Sequence, residues 1–146
     1  ELTMGLLLAI DRRIADNVAD LRGGHWDKKR YSKAEGLLGK TMGIIGLGSI
    51  GLGVAERAVP FGIDVQALAK PRRAAHTAAR AEELGITMLG SQDELLSTSD
   101  IVTLHVPSSK DTKHLVDDAF LGQMKQGAIL LNTSRGDVVD EAALLK

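Results

Sequence analysis

The sequence contains no cysteine, which excludes disulfides and thiolate metal sites and suits a reducing, cytoplasmic setting. Aromatic residues make up only 3% of the chain, so Leu, Ile, Val and Ala must fill the core. Neither sign of charge is in excess. The 18 Lys and Arg against 19 Asp and Glu give a net charge of −1, and neither nucleic acid nor an anionic membrane is an expected partner. Long apolar runs are missing as well: Leu6–Ile10 is far too short to cross a bilayer and Asp11 ends it, so neither a membrane span nor a signal peptide is expected.

What is present suffices for one domain with a substantial core, at 146 residues and 44% hydrophobic content. The most informative stretch is Gly43–Gly51, GIIGLGSIG, where an apolar run breaks into Gly46-x-Gly48-x-x-Gly51 and then turns helical. A pyrophosphate-binding βα unit needs that order of strand, glycine turn and helix. Gly46 allows the tight turn, Gly48 admits phosphates close to bare backbone, and Gly51 lets the helix pack closely on the strand. The helix N-terminus adds unpaired N–H groups and partial positive charge. Glycine-rich turns also arise for purely structural reasons, but the flanks support the stronger reading. Thr41–Ile45 has a buried-strand pattern, and Ile50, Val54, Ala58 and Phe61 follow at helical spacing.

Along the chain, residues 2–22 predict one amphipathic helix with Leu7, Ile10, Ile14, Val18 and Leu21 on its apolar stripe, stopped by Gly23-Gly24. Residues 25–40 read as a polar connector, with Lys28–Arg30 a solvated run. Strands are expected near 41–46, 63–68, 86–89, 100–106 and 128–132. Helices are expected near 49–60, 74–84, 91–97 and 116–125, with Pro60 and Gly62 ending the first of these. This alternation implies an α/β domain over 41–146: a Rossmann-type, doubly wound parallel sheet. Asp140 fits a helix cap, but only six residues follow it, so the sheet reads as truncated at its C-terminal end and the chain as an excised or incomplete domain. Its last strand is then an unprotected edge, and self-association is expected.

Two further constellations carry chemistry. Ser99–Pro107, SDIVTLHVP, is a buried strand whose carboxyl end faces the crevice where such sheets hold ligands. Ala128–Asn132 is another strand, and Thr133-Ser134-Arg135-Gly136-Asp137 follows it, which places an arginine just past the strand's carboxyl end. An arginine there is able to grip a carboxylate through two parallel hydrogen bonds while polarising a neighbouring carbonyl.

Taken together, Gly36–Gly51 (GLLGKTMGIIGLGSIG), SDIVTLHVP and Met124–Leu144 (MKQGAILLNTSRGDVVDEAAL) resemble the D-2-hydroxyacid dehydrogenase family, which includes phosphoglycerate dehydrogenases and glyoxylate or hydroxypyruvate reductases. The likeness runs from the first helix to the last residue. It implies a cofactor-binding domain, inserted in the family into a separate substrate domain, of an oxidoreductase interconverting 2-keto and D-2-hydroxy acids. By the same resemblance Gly48, Ser49 and Ile50 hold the pyrophosphate, Val106 and Pro107 line the adenine side, and Thr112 lies near the cofactor. Thr133 and Ser134 approach the nicotinamide ribose, and Arg135 binds substrate. The family's catalytic Glu and His lie downstream of this arginine, beyond Lys146, so the chain alone is expected to be inactive. His25, His76, His105 and His114 match no catalytic position and read as structural. The resemblance also suggests a homodimer using part of the first helix. Trp26 belongs to that contact or merely covers the helix end.

Cofactor choice follows from one departure. An acidic residue usually ends the second strand and holds the adenosine ribose hydroxyls. Alignment with the family puts Ala69 there, followed by Lys70, Pro71, Arg72 and Arg73. Loss of the carboxylate removes repulsion against a 2′-phosphate and three cations stand ready to bind it, which favours NADP over NAD. The plainer reading is a solvated basic turn opening a helix. Asp137 and Asp140 read as turn and cap residues, and no metal site is expected. Two rivals to the enzyme reading remain at this level: a non-catalytic dinucleotide-binding or dimerisation module of the corepressor type, and more remotely a methyltransferase-like fold.

Overall fold

A computed structural model describes all 146 residues. Five parallel strands form one sheet in the order β3-β2-β1-β4-β5, with β1 at Thr41–Ile45, β2 at Asp64–Leu68, β3 at Thr87–Leu89, β4 at Ile101–Leu104 and β5 at Ile129–Asn132. Each lies within its expected stretch. β1 is central, with Ile44 beside Ala67 of β2 on one side and beside Thr103 of β4 on the other. Between β1 and β4 the strand order reverses direction, and such sheets bind ligands in the crevice that opens there.

Strand alternation divides the core in two. Met42 and Ile44 of β1, Val65 and Ala67 of β2, and Ile101 of β4 pack under α1 (Leu2–Asp11), α4 (Ser49–Ala58) and α5 (Ala75–Glu83), together with Met4, Leu7, Val54 and Ala58. On the opposite face Ile45, Val102 and Leu104 pack with Leu95 and Leu96 of α6 (Gln92–Thr98) and Phe120 of α7 (Asp118–Gln123). At Gly43 the α6 side comes so close that a Cβ would stand 2.3 Å from Ser99 Oγ. The polar residues buried there are satisfied among themselves: Gln66 Nε2 donates to Ser99 Oγ at 2.9 Å and to Thr98 Oγ1 at 2.7 Å.

The expected single leading helix is two. α1 stops at Asp11, and α2 (Ile14–Arg22) starts after Arg13, which is left-handed at φ 51°. The Asp11 carboxylate accepts the Gly36 N–H at 3.1 Å, while the Arg13 guanidinium turns back to Asp16. Only the N-terminal part of the stripe enters the core. Leu7 is fully buried, whereas Ile10, Ile14, Val18 and Leu21 are 40–48% exposed. Nor is the connector featureless: Lys28–Tyr31 forms a short α3, capped by Asp27, and Arg30 with Tyr31 binds Asp20 of α2. Lys28–Arg30 is a helical turn whose three basic residues are all exposed, as a solvated run requires. Trp26 is 78% exposed.

At the other end, Pro60 sits in a 3-10 turn, Val59–Phe61, that extends α4 and is closed by Gly62 at φ 72°. Asp140 caps α8 (Glu141–Leu144) by accepting the Ala142 N–H at 3.0 Å, as its position predicts. A lone parallel bridge joins Val116 to Val139, and β5 forms one edge of the sheet.

Candidate dinucleotide-binding site

The carboxyl ends of β1, β2 and β4 enclose a cleft of about 470 Å³. Its floor is the glycine turn, and the three glycines differ in what they do. Gly46 has φ 98°, and a Cβ on it would stand 2.5 Å from the His105 carbonyl oxygen. A Cβ on Gly51 would stand 2.4 Å from the Gly46 carbonyl oxygen. Both are therefore demanded by the chain's own packing. Gly48 is not: nothing lies within 4 Å of its Cβ position. The bare backbone there faces open space at the N-cap of α4, whose first intrahelical bond runs from Leu52 N–H to Gly48 C=O at 2.9 Å. The N–H groups of Ser49, Ile50 and Gly51 precede that bond and have no partner within the helix. Free N–H groups at a helix N-terminus suit an anion, and nothing fills the space beside Gly48.

Ile50 is 70% exposed and Phe61 46%, so neither joins the apolar stripe expected of this helix, while Val54 and Ala58 do. For Ile50 the reason is local, since it lies in the first turn of α4 at the open end of the sheet.

The walls of the cleft hold Ala69, Lys70 and Arg73 past β2, and Val106 and Pro107 past β4. Seven of the residues singled out from the sequence are thus gathered in one lining: Gly46, Gly48 and these five. Lys70 and Arg72 are exposed, and neither engages in an ion pair. Arg73 is half-buried and bonded to backbone carbonyls.

Other expected residues lie outside this lining. Thr112 folds back on its own loop, donating to the Pro107 carbonyl at 2.6 Å and accepting the Ser109 N–H at 2.9 Å. Thr133 Oγ1 meets Thr3 Oγ1 of α1 at 2.9 Å. Ser134 donates to Asn132 Oδ1 at 2.7 Å, and Asn132 Nδ2 donates to the Arg135 carbonyl at 2.8 Å. The Arg135 guanidinium is exposed, with Nη1 on the Ser134 carbonyl at 2.9 Å. Asp137 accepts from Ser108 Oγ and so ties the loop after β5 to the loop after β4.

A family model described as "D-isomer specific 2-hydroxyacid dehydrogenase, NAD binding domain" matches residues 4–146. The chain belongs to this family. It is 42% identical to the hydroxypyruvate reductase of Thermotoga maritima, over 99% of the chain and 44% of that protein. It is 40% identical to the D-3-phosphoglycerate dehydrogenase of Methanocaldococcus jannaschii, over 99% of the chain and 26% of that protein. The apo structure of Escherichia coli D-lactate dehydrogenase superposes with a TM-score of 0.87 at 31% identity, over 98% of the chain and 43% of that one. The chain thus spans from about a quarter to less than half of these relatives' length. It is a nucleotide-binding domain of the 2-hydroxyacid dehydrogenases and its cofactor class is NAD(P). Nothing in these relatives favours the corepressor-type reading.

Three features in or near the cleft escape a reading of the sequence. His105 lines the cleft although it matches no catalytic position: its carbonyl lies under Gly46 and its Nε2 is 3.0 Å from Thr103 Oγ1. Burial holds its pKa below the ordinary 6.5, so the ring is neutral at pH 7. Asn132 organises the loop that carries Ser134 and Arg135. An Asn after an apolar strand resembles any turn residue, and only its three bonds reveal the role. The third is the pair of backbone carbonyls held by Arg73.

Proposed function

We propose that the chain is the cofactor-binding part of an oxidoreductase interconverting 2-keto and D-2-hydroxy acids, with a substrate domain contributed by other sequence of the intact enzyme. The observation that carries this is the open Cβ position of Gly48 under the free N–H groups of α4. In this reading Gly48, Ser49 and Ile50 hold the pyrophosphate, aided by the turn that Gly46 and Gly51 permit. Val106 and Pro107 flank the adenine, Thr112 lies near the cofactor and donates to the Pro107 carbonyl, and Thr133 and Ser134 face the nicotinamide ribose. When bound, the nicotinamide supplies or accepts a hydride at the substrate's C2. Arg135 is exposed and free of carboxylate partners, which suits it to orient a substrate carboxylate and stabilise charge on the carbonyl oxygen. None of the four histidines stands as proton donor, so these 146 residues alone are expected to bind cofactor without turning substrate over.

Within this reading the cofactor is NADP(H) in preference to NAD(H). Ala69 offers no carboxylate to a ribose 2′-hydroxyl, and Lys70 and Arg72 are exposed cations without acidic partners. The functional unit is a homodimer, supported by the apolar line on α1 and α2, and the protein is cytoplasmic, supported by the absence of cysteine. No helix is long and apolar enough to cross a membrane.

Fluorescence titration with NADPH and NADH, at low and moderate salt, tests the reading. NADPH is expected to bind more tightly, with the steeper salt dependence, and neutralising Lys70 and Arg72 should bring the two affinities together. Equal binding of both would remove the NADP preference and keep the site. Binding of neither by a folded sample would remove the site itself.

A further inference from the structure

By charge alone Arg73 belongs with Lys70 and Arg72, but its geometry separates it from them. Its Nη1 donates to the Leu47 carbonyl at 2.8 Å and its Nη2 to the Leu68 carbonyl at 2.7 Å. Leu47 is the residue between Gly46 and Gly48, and its side chain is buried in the larger core cluster. Leu68 is the last residue of β2. One planar guanidinium therefore joins the glycine turn of β1 to the end of the neighbouring strand, across the wall of the cleft. Both carbonyls belong to residues lining a cleft that is to receive an anion, and uncapped they would present negative dipoles to it. Arginine suits this task better than lysine because its rigid fork serves both oxygens at once. Two of its five donors are thereby committed to backbone, and no carboxylate competes for it.

We propose that Arg73 is a positioning residue for the phosphate-binding turn, acting equally on NADP(H) and NAD(H), and that discrimination at the 2′ position falls to Lys70 and Arg72 alone. The proposal rests on the reading of this cleft as the dinucleotide site. It divides a basic cluster that looks uniform in sequence into one cation that shapes the turn and two that are exposed and unpaired.

The test compares the parent chain with Arg73→Ala, Arg72→Ala and Lys70→Ala, each titrated with NADPH and NADH. Arg73→Ala should weaken both dinucleotides by a similar factor, on the order of tenfold, because a charge-assisted pair of bonds is lost. The ratio of the two affinities should stay at the parent value, and millimolar guanidinium ion should restore part of the binding. Arg72→Ala and Lys70→Ala should change the ratio, through NADPH alone. In the ligand-free chain, amide exchange at Gly48 should be faster in Arg73→Ala than in Arg72→Ala, with the melting midpoint of Arg73→Ala lowered by a few degrees and that of Arg72→Ala near the parent's. A loss confined to NADPH in Arg73→Ala would overturn the proposal and make Arg73 a phosphate ligand. Unchanged binding, or unchanged exchange at Gly48, would overturn it too. A parent that prefers neither dinucleotide but loses both equally in Arg73→Ala would refute the NADP preference and leave the positioning role standing. A folded parent that binds neither overturns the site and the proposal together.

Discussion

Gly46 and His105 lie so close across the β1–β4 junction that a Cβ on the glycine would stand 2.5 Å from the histidine's carbonyl oxygen. The contact is between two strand exits, so the turn that leaves β1 is fixed by the backbone leaving β4. Gly46→Ala must therefore displace backbone and adopt an unfavourable φ of 98°. We expect it to lower stability by about 2 kcal/mol or more, read by denaturant unfolding.

Gly48→Ala makes the opposite case. With nothing within 4 Å of the new methyl group, stability should fall by under about 1 kcal/mol, the ordinary cost of alanine at a helix N-cap. Dinucleotide affinity should nevertheless drop by on the order of tenfold, since in the proposed reading the methyl occupies the phosphate's approach. Unimpaired binding by this variant would mean the phosphates lie elsewhere.

The loop that carries Arg135 depends on Asn132, which accepts from Ser134 N at 3.0 Å and donates to the Arg135 carbonyl at 2.8 Å. Asn132→Ala is expected to cost about 1 kcal/mol and to speed amide exchange at Ser134. Asn132→Asp keeps the acceptor and loses the donor, so it should fall between the two. Equal exchange in all three would remove Asn132 from the positioning of Arg135.

Stability should have an acid limb set in part by Asp100. Lys125 Nζ at 2.6 Å and the Thr41 N–H at 2.9 Å hold its carboxyl below the ordinary 3.8. A depressed pKa in the folded state stabilises the fold above the unfolded value, and that contribution is lost as pH falls through the folded one. Asp100→Asn should thus lower the melting midpoint at neutral pH and flatten its decline below about pH 4. A parallel downward shift at every pH would assign the acid limb to other carboxylates.

Ile10, Ile14, Val18 and Leu21 remain 40–48% exposed along α1 and α2, and β5 is an open sheet edge. The first predicts a dimer, the second open-ended association. Sedimentation should find a discrete dimer that Ile14→Lys with Val18→Lys converts to monomer. Association surviving this pair would point instead to the strand edge.

The sequence by itself determined the strand-turn-helix unit at Thr41–Ala58, the alternation of β and α behind it, and the family motifs at Gly46, Pro107 and Arg135. Apolar period and glycine spacing are local properties, and local rules suffice to read them. The break at Arg13 was not legible, because the apolar stripe continues in helical register from Ile10 to Ile14 and arginine itself favours helix. What interrupts it involves distant chain, including the Gly36 N–H on Asp11. Arg73 shows the same limit at the site. Its charge can be read from sequence, but whether that charge meets a phosphate or two carbonyls is decided only when Leu47 and Leu68 are brought within 2.8 Å of it. Hydrogen bonds select among equally charged neighbours by position, and position across a sheet is set by tertiary packing alone.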